Sequence, residues 1–245
     1  MHIPDGYLSP QTYVPLYGAS LVFWTVGLRK VRNELSHRQI PYLAMAAAFS
    51  FLIMMFNIPI PFGTSGHAVG AGIIAVLLGP WTAVVAVSVV LIIQALVFGD
   101  GGITALGANC FNMAIAMPFV SYGVFKLLGS RYRTPKGLSV AAFLSGYIGL
   151  LVSAILTALE FGIQPLIAQG LDGRPLYAPY PLSVALPAVV LQHMLLFCIV
   201  EGMATLMLFR YFLKHEPDLI HALLDRGMRQ EAAAPTEDAL LAEGG

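Results

Sequence analysis

A chain that begins Met-His carries three nitrogens in a row: the α-amine of Met1, the main-chain nitrogen of His2 and the His2 imidazole. Bound to one cation, these close two fused chelate rings. If the His2 amide gives up its proton to the metal, they fill three corners of a square, and one further imidazole would complete a planar four-nitrogen set. Planar nitrogen ligation suits Ni(II) and Cu(II), with Co(II) also accommodated. The bulk of His2 predicts that the initiator methionine stays in place, as the chelate requires. A histidine at position two can equally be an incidental exposed residue, so the reading depends on a partner.

His67 is the candidate partner. It lies in GTSGHAVGAG, at the start of an apolar run of only fifteen residues, 66–80. Polar groups at membrane depth are costly and tend to be functional. Transport proteins commonly hold substrate where a helix is discontinuous and its irregular backbone is buried by protein. Gly63, Gly66, Gly70 and Gly72 would let another segment approach that backbone closely. The competing reading makes His67 a helix cap.

The loop FGDGGITALGAN supplies Asp100 and Asn109, with Asn112 just after it and Gln94 one turn before it. These groups could orient the imidazoles from behind, or serve as caps and turns. Glu160 is expected near the outer surface and Glu201 near the inner one, both away from His2. His193, at about mid-depth, could pair with a neighbouring helix. Cys110 and Cys198 fall in apolar runs and read as inert buried thiols. The sequence holds no GxxxxGK[ST] phosphate loop, no HExxH and no catalytic carboxylate pair.

The elements that must position these groups are membrane spans. Of 245 residues, 58% are hydrophobic and 11% charged, against about 25% charged in a typical soluble domain. A formal net charge of zero without blocks of like charge argues against nucleic acid as a partner. Runs long enough to cross about 30 Å of hydrocarbon fall at 10–28, 40–61, 81–98, 107–128, 137–161 and 181–212. With the short run at 66–80 they predict an all-α polytopic bundle of seven transmembrane helices.

Basic residues orient it, because Lys and Arg accumulate in cytoplasmic loops. Arg29, Lys30, Arg32 and Arg38 are assigned to the first loop. Lys126, Arg131, Arg133 and Lys136 are assigned to the fifth, and Arg210, Lys214, Arg226 and Arg229 to the C-terminal side. Seven crossings then put the N-terminus outside and the C-terminus in the cytoplasm, with His67, Asp100 and Arg174 in outer loops. The first ten residues lack the features of a secretory signal. Residues 1–214 form the membrane domain, and 215–245 are expected to be a cytoplasmic tail with an amphipathic stretch, DLIHALLDRGMRQ, and a disordered acidic end.

MHIPDGYLSP at the start, GTSGHAVGA around residue 67, LLGPW, and QALVFGDGGITALGANCFNM resemble the CbiM/NikM family. The similarity extends over most of the seven spans and fades at 164–181 and in the tail. The resemblance implies a substrate-capture subunit of an energy-coupling-factor importer, a branch of the ABC transporters, in a prokaryotic cell membrane. Its cargo would be divalent cobalt or nickel, with no permanent cofactor. Met1, His2 and His67 are then the metal ligands, on an N-terminal loop folded into the bundle centre.

Implied partners are a membrane coupling subunit, cytoplasmic ATPase subunits that hydrolyse ATP, and a small accessory membrane component. Ala44 and Ala48 in AMAAA form a small-xxx-small face suited to such a partner, or to packing within the bundle. The chain therefore reads as a binding subunit without enzymatic activity, with cobalt slightly preferred. The alternative is a stand-alone permease or channel for divalent cations, which would want acidic or relay residues through mid-membrane.

Overall fold

The computed structural model describes residues 1–34, 40–60 and 64–216. Within them lie seven helical segments and one small hairpin. Helix α1 spans Pro10–Glu34 and α2 spans Ile40–Met54. Strands β1, Ile58–Ile60, and β2, Thr64–Gly66, pair antiparallel, with Ile58 opposite Gly66 and Ile60 opposite Thr64. Helix α3 is Ala71–Leu78. Then follow α4, Pro80–Phe98, α5, Leu106–Arg131, α6, Pro135–Ile167, and α7, Leu182–His215.

Helices α4 to α7 are long and apolar enough to cross a membrane. In lipid a spanning segment must satisfy its own backbone, which helices do. Starts and stops follow local chemistry. Proline opens α1, α4 and α6, where its missing N–H costs nothing. The Thr134 hydroxyl caps α6 by accepting from the Gly137 N–H at 3.1 Å. Helices α4, α5 and α7 each carry a π-helical turn, at Gln94–Phe98, Cys110–Ala116 and His193–Phe197. Each turn contains a buried polar residue: Gln94, Asn112 and His193 respectively. Such turns are frequent at functional sites.

Helix α3 defines the architecture. At eight residues it is about 12 Å long and cannot cross a bilayer. Every residue from Ala71 to Leu77 is buried, packed among α4, α5, α6 and α7. The outer faces are apolar instead. Leu21, Val22, Met45, Leu52, Leu127, Leu195 and Met207 are all exposed, a pattern that water-soluble proteins avoid and lipid-facing ones require.

The expected spans coincide with α1 and α4 to α7, apart from their ends. Two others differ. The run 40–61 is helical only to Met54, after which Ile58–Ile60 is a strand, because Pro59 cannot continue a helix. The run 66–80 is helical only over Ala71–Leu78, since Gly66 closes β2 and Gly70 turns the chain with φ +75°. Arg29, Lys30 and Arg32 sit on the last turns of α1 and not in a loop, with Lys30 Nζ 5.2 Å from the centre of the Trp81 ring. Likewise Lys126 and Arg131 belong to α5, Lys136 to α6, and Arg210 and Lys214 to α7. Arg38, Gly63, Arg226, Arg229 and the tail beyond 216 lie outside the described residues.

A Cβ on Gly70 would lie 2.6 Å from Phe49 Cε1, in a left-handed conformation that side chains resist. Gly70→Ala should cost about 1–3 kcal/mol. A detergent thermal melt should show this as a lowered midpoint, and an unchanged midpoint would show that the turn is not required.

Candidate metal centre

The N-terminal segment runs into the bundle, with Met1 and Ile3 fully buried and His2 nearly so. An extended segment has unpaired backbone groups, which in a buried place must find partners. Asn109 on α5 supplies two, its Oδ1 accepting from Ile3 N at 2.9 Å and its Nδ2 donating to Ile3 O at 3.1 Å. Gly102 N also donates to Ile3 O, at 2.8 Å, and the Thr64 hydroxyl donates to His2 O at 3.1 Å. The Met1 amine donates to the Ser65 carbonyl in β2. Farther out, Asp5 accepts from the Ile103 and Thr104 N–H groups and from the Thr104 hydroxyl. Ser9 N donates to Gln164 Oε1 at 2.9 Å.

His67 is fully buried directly after β2. Its Nδ1–H donates to the Ala68 carbonyl at 3.0 Å, so its Nε2 carries a lone pair. That lone pair faces His2 Nδ1 at 3.1 Å, and the two rings stack with centroids 4.6 Å apart. His2 Nε2 pairs with the Gln94 side-chain amide at 3.2 Å. Asp100 Oδ1 stands 3.2 Å from His2 Nδ1, the nitrogen that faces His67. Burial pushes the Met1 amine down to about 4 and the His2 imidazole down to about 3, so at neutral pH both offer free electron pairs.

The pocket is therefore rich in donors and short of protons. Two nitrogens bound at right angles to one metal, each about 2 Å away, stand about 2.8 Å apart, close to the spacing found here. Among the described residues no three His, Cys, Asp or Glu side chains form a metal-holding group. The further donors at this place are the Met1 amine, the His2 backbone nitrogen and the Asp100 and Gln94 side chains.

The other candidates divide. Gln94, Asp100 and Asn109 gather around the N-terminal segment. Asn57 Nδ2 steadies Asp100 by donating to Oδ2 at 3.2 Å. Asn112 points elsewhere, donating to Thr157 Oγ1 at 3.2 Å and Glu160 Oε2 at 2.9 Å, and does not support the imidazoles. It lies one turn past Asn109, too deep along α5 to reach His2. Ala44 and Ala48 are exposed on α2 and do not pack inside the bundle. His193 pairs within its own helix, Nδ1 with the Val189 carbonyl at 2.7 Å, and not with a neighbouring one. Cys110 and Cys198 are free and buried.

Glu201 departs most from expectation. It does not lie apart from the site but contacts the backbone just after His67, accepting from Val69 and Gly70. A fully buried carboxylate in an apolar run was the available signal. Asn57, Thr64 and Ser65 carried none, because ordinary polar residues near a hairpin have no distinctive spacing.

This fold and pocket define a multi-pass membrane protein with buried nitrogen donors gathered at the end of a short internal helix, the layout of a membrane transport component. Residues 2–219 match the CbiM profile, described as the cobalt uptake substrate-specific transmembrane region, and the chain belongs to that family. It is 50% identical over 226 residues to the fused nickel transport protein NikMN of Rhodobacter capsulatus, covering 90% of this chain and 64% of that one. It is 45% identical over 219 residues to the probable fused nickel transport protein LarMN of Lactiplantibacillus plantarum, covering 89% and 66%. The chain thus spans just under two thirds of these fused relatives. The crystal structure of a truncated transition metal transporter superposes with a TM-score of 0.84 at 46% identity, covering 88% of this chain and 99% of that one.

Asn109→Ala would leave Ile3 N without its partner and Ile3 O with Gly102 N alone, loosening the segment that carries Met1 and His2. Metal affinity should fall by about 10- to 100-fold, whereas Asn112→Ala should leave it near wild type. Competition titration with Ni(II) measures both, and equal losses would refute the distinction drawn between these two asparagines.

Proposed function

We propose that this chain is the metal-capturing subunit of an energy-coupling-factor importer. It binds a divalent nickel or cobalt ion as cargo through the Met1 amine, the His2 amide and imidazole, and the His67 imidazole. The observation that carries this reading is the convergence of His2 Nδ1 and His67 Nε2, 3.1 Å apart beside the buried amine. A cation bound by both nitrogens would replace that single contact with two bonds.

Nickel is favoured over cobalt. A low-spin d⁸ ion prefers the plane that these four nitrogens would form, and the fused relatives above are named for nickel. Copper would bind such a site more tightly than either, so discrimination against it falls to metal availability in the cell. The sequence has no nucleotide-binding loop, so the work of release belongs to partner ATPases. A membrane coupling subunit would pack on the exposed Ala44/Ala48 face of α2. The basic ends of α1, α5 and α7 orient the chain with its N-terminus outside.

Three measurements test this. One residue added before Met1, His2→Ala or His67→Ala should each abolish high-affinity binding while leaving the melting midpoint near wild type. A tagged chain that binds as tightly as the native one defeats the chelate. Because the amine and the His2 imidazole are already unprotonated, loading at pH 7 should release about one proton per metal, from the His2 amide. Calorimetry in buffers of different ionisation enthalpy counts it, and a count of zero would exclude amide ligation. Uptake into vesicles should need the ATPase partners, whereas uptake by this chain alone would favour a permease.

A further inference from the structure

We propose that Glu201 is a positioning residue for the metal centre: from α7, its carboxylate grips the backbone just after His67 and sets where that imidazole points. The inference rests on the reading of His67 as a ligand.

Glu201 is fully buried in a spanning helix. An unpaired charge there is costly, so the carboxylate must be met by strong donors. It is met by three. Oε2 accepts from Val69 N at 2.8 Å and Gly70 N at 2.9 Å, and Oε1 accepts from Gly72 N at 3.2 Å. The N–H groups at and just before the start of α3 have no partner inside that helix. One side chain from a distant helix therefore fixes a stretch beginning two residues after His67.

A second contact from the same helix lies on the other side of His67. The Phe197 ring packs onto Gly66 so closely that a Cβ there would collide with it. Phe197 and Glu201 are four residues apart and share one face of α7. Their contacts bracket His67, ring against Gly66 before it and carboxylate against 69–72 after it. The slot leaves little play, because a Cβ on Gly72 would lie 2.9 Å from Gly146 Cα and 3.1 Å from Thr205 Oγ1.

The arrangement joins His67 to α7 as well as to β2, whereas Met1 and His2 are held by α5 and β2. The fourth ligand thus has a hold on α7 that the first three lack. Movement of α7 against the rest of the bundle would draw His67 off the plane and weaken the site. Glu160, the other buried carboxylate, has no such reach, since it is paired with Asn112.

The test uses the full chain in detergent with Ni(II) alone, reading affinity by competition, the ligand-field absorption of the bound metal, and the melting midpoint. In Glu201→Gln an amide NH2 replaces one acceptor and faces backbone N–H groups. We expect affinity about 10- to 100-fold weaker and a displaced absorption band. Phe209→Ala hollows the same helix beside Phe125, eight residues beyond Glu201. It should lower the midpoint but keep affinity and band. Should Glu201→Gln fail to fold, Glu201→Asp replaces it, its shorter arm unable to reach all three donors, with the same expectation. Wild-type affinity and band in the glutamate variant, with His67→Ala still unable to bind, would overturn the positioning role alone. Normal binding by His67→Ala would overturn the ligand reading beneath it.

Discussion

Two imidazole nitrogens from segments far apart in the chain meet at 3.1 Å in a buried place. Each is aimed there because the other nitrogen of its ring is anchored, by the Ala68 carbonyl for His67 and by the Gln94 side chain for His2. Much of the surrounding architecture follows from holding that contact. His2 belongs to an extended N-terminal segment that must be led into the bundle and have its backbone satisfied. His67 belongs to a turn between a strand and a helix too short to span. Neither would hold its place against free rotation without neighbours that dictate its direction.

The short helix α3 is what makes room. A full-length span after β2 would carry the chain straight through the bundle, and no turn would stand at the level of the N-terminus. Eight residues allow the chain to enter from the hairpin, turn at Gly70 and stop at Gly79. The exposed donors at the start of α3 then require an acceptor. In a soluble protein water would serve, but here it must be supplied from another helix, and Glu201 supplies it. The cost of burying a carboxylate and the cost of leaving N–H groups unpaired offset each other. The same exchange recurs at Asn109, whose amide satisfies both backbone groups of Ile3.

How far the sequence reveals this depends on whether a residue's role is local. Long apolar runs are read by length, so α4 to α7 were legible apart from their ends, and the brevity of the run at 66–80 announced an irregular segment. That Met1, His2 and His67 would be buried together was suggested by the few joint uses of an amine, an amide and two imidazoles. The hairpin was not legible, since its strands are three residues each and IPI is as apolar as the helix before it. Gln94, Asp100 and Asn109 lie in one recognisable block, yet nothing in that block separates them from Asn112, which lies one turn farther along α5 and pairs with Thr157 and Glu160. The contact of Glu201 with the backbone after His67 was not legible, because it depends on α3 beginning inside the bundle with its first N–H groups turned to α7.

The hold of α7 on the His67 turn alone has a consequence for any carrier that must both seize and surrender its cargo. Three nitrogens on one segment close two chelate rings, so their cation is slow to leave while all are engaged. The fourth comes from a separate turn. On the proposed reading, withdrawing His67 alone leaves a three-coordinate ion with an open position, and an incoming ligand can begin displacement there. Stepwise loss costs less at each stage than breaking four bonds together, and it needs only a shift between helices. Hard cations such as Mg²⁺ or Ca²⁺ gain little from such a pocket, because they seek six or more oxygens and it offers mainly nitrogen. On that reading, donor chemistry decides which ions stay, and the hold of α7 on the His67 turn decides how they leave.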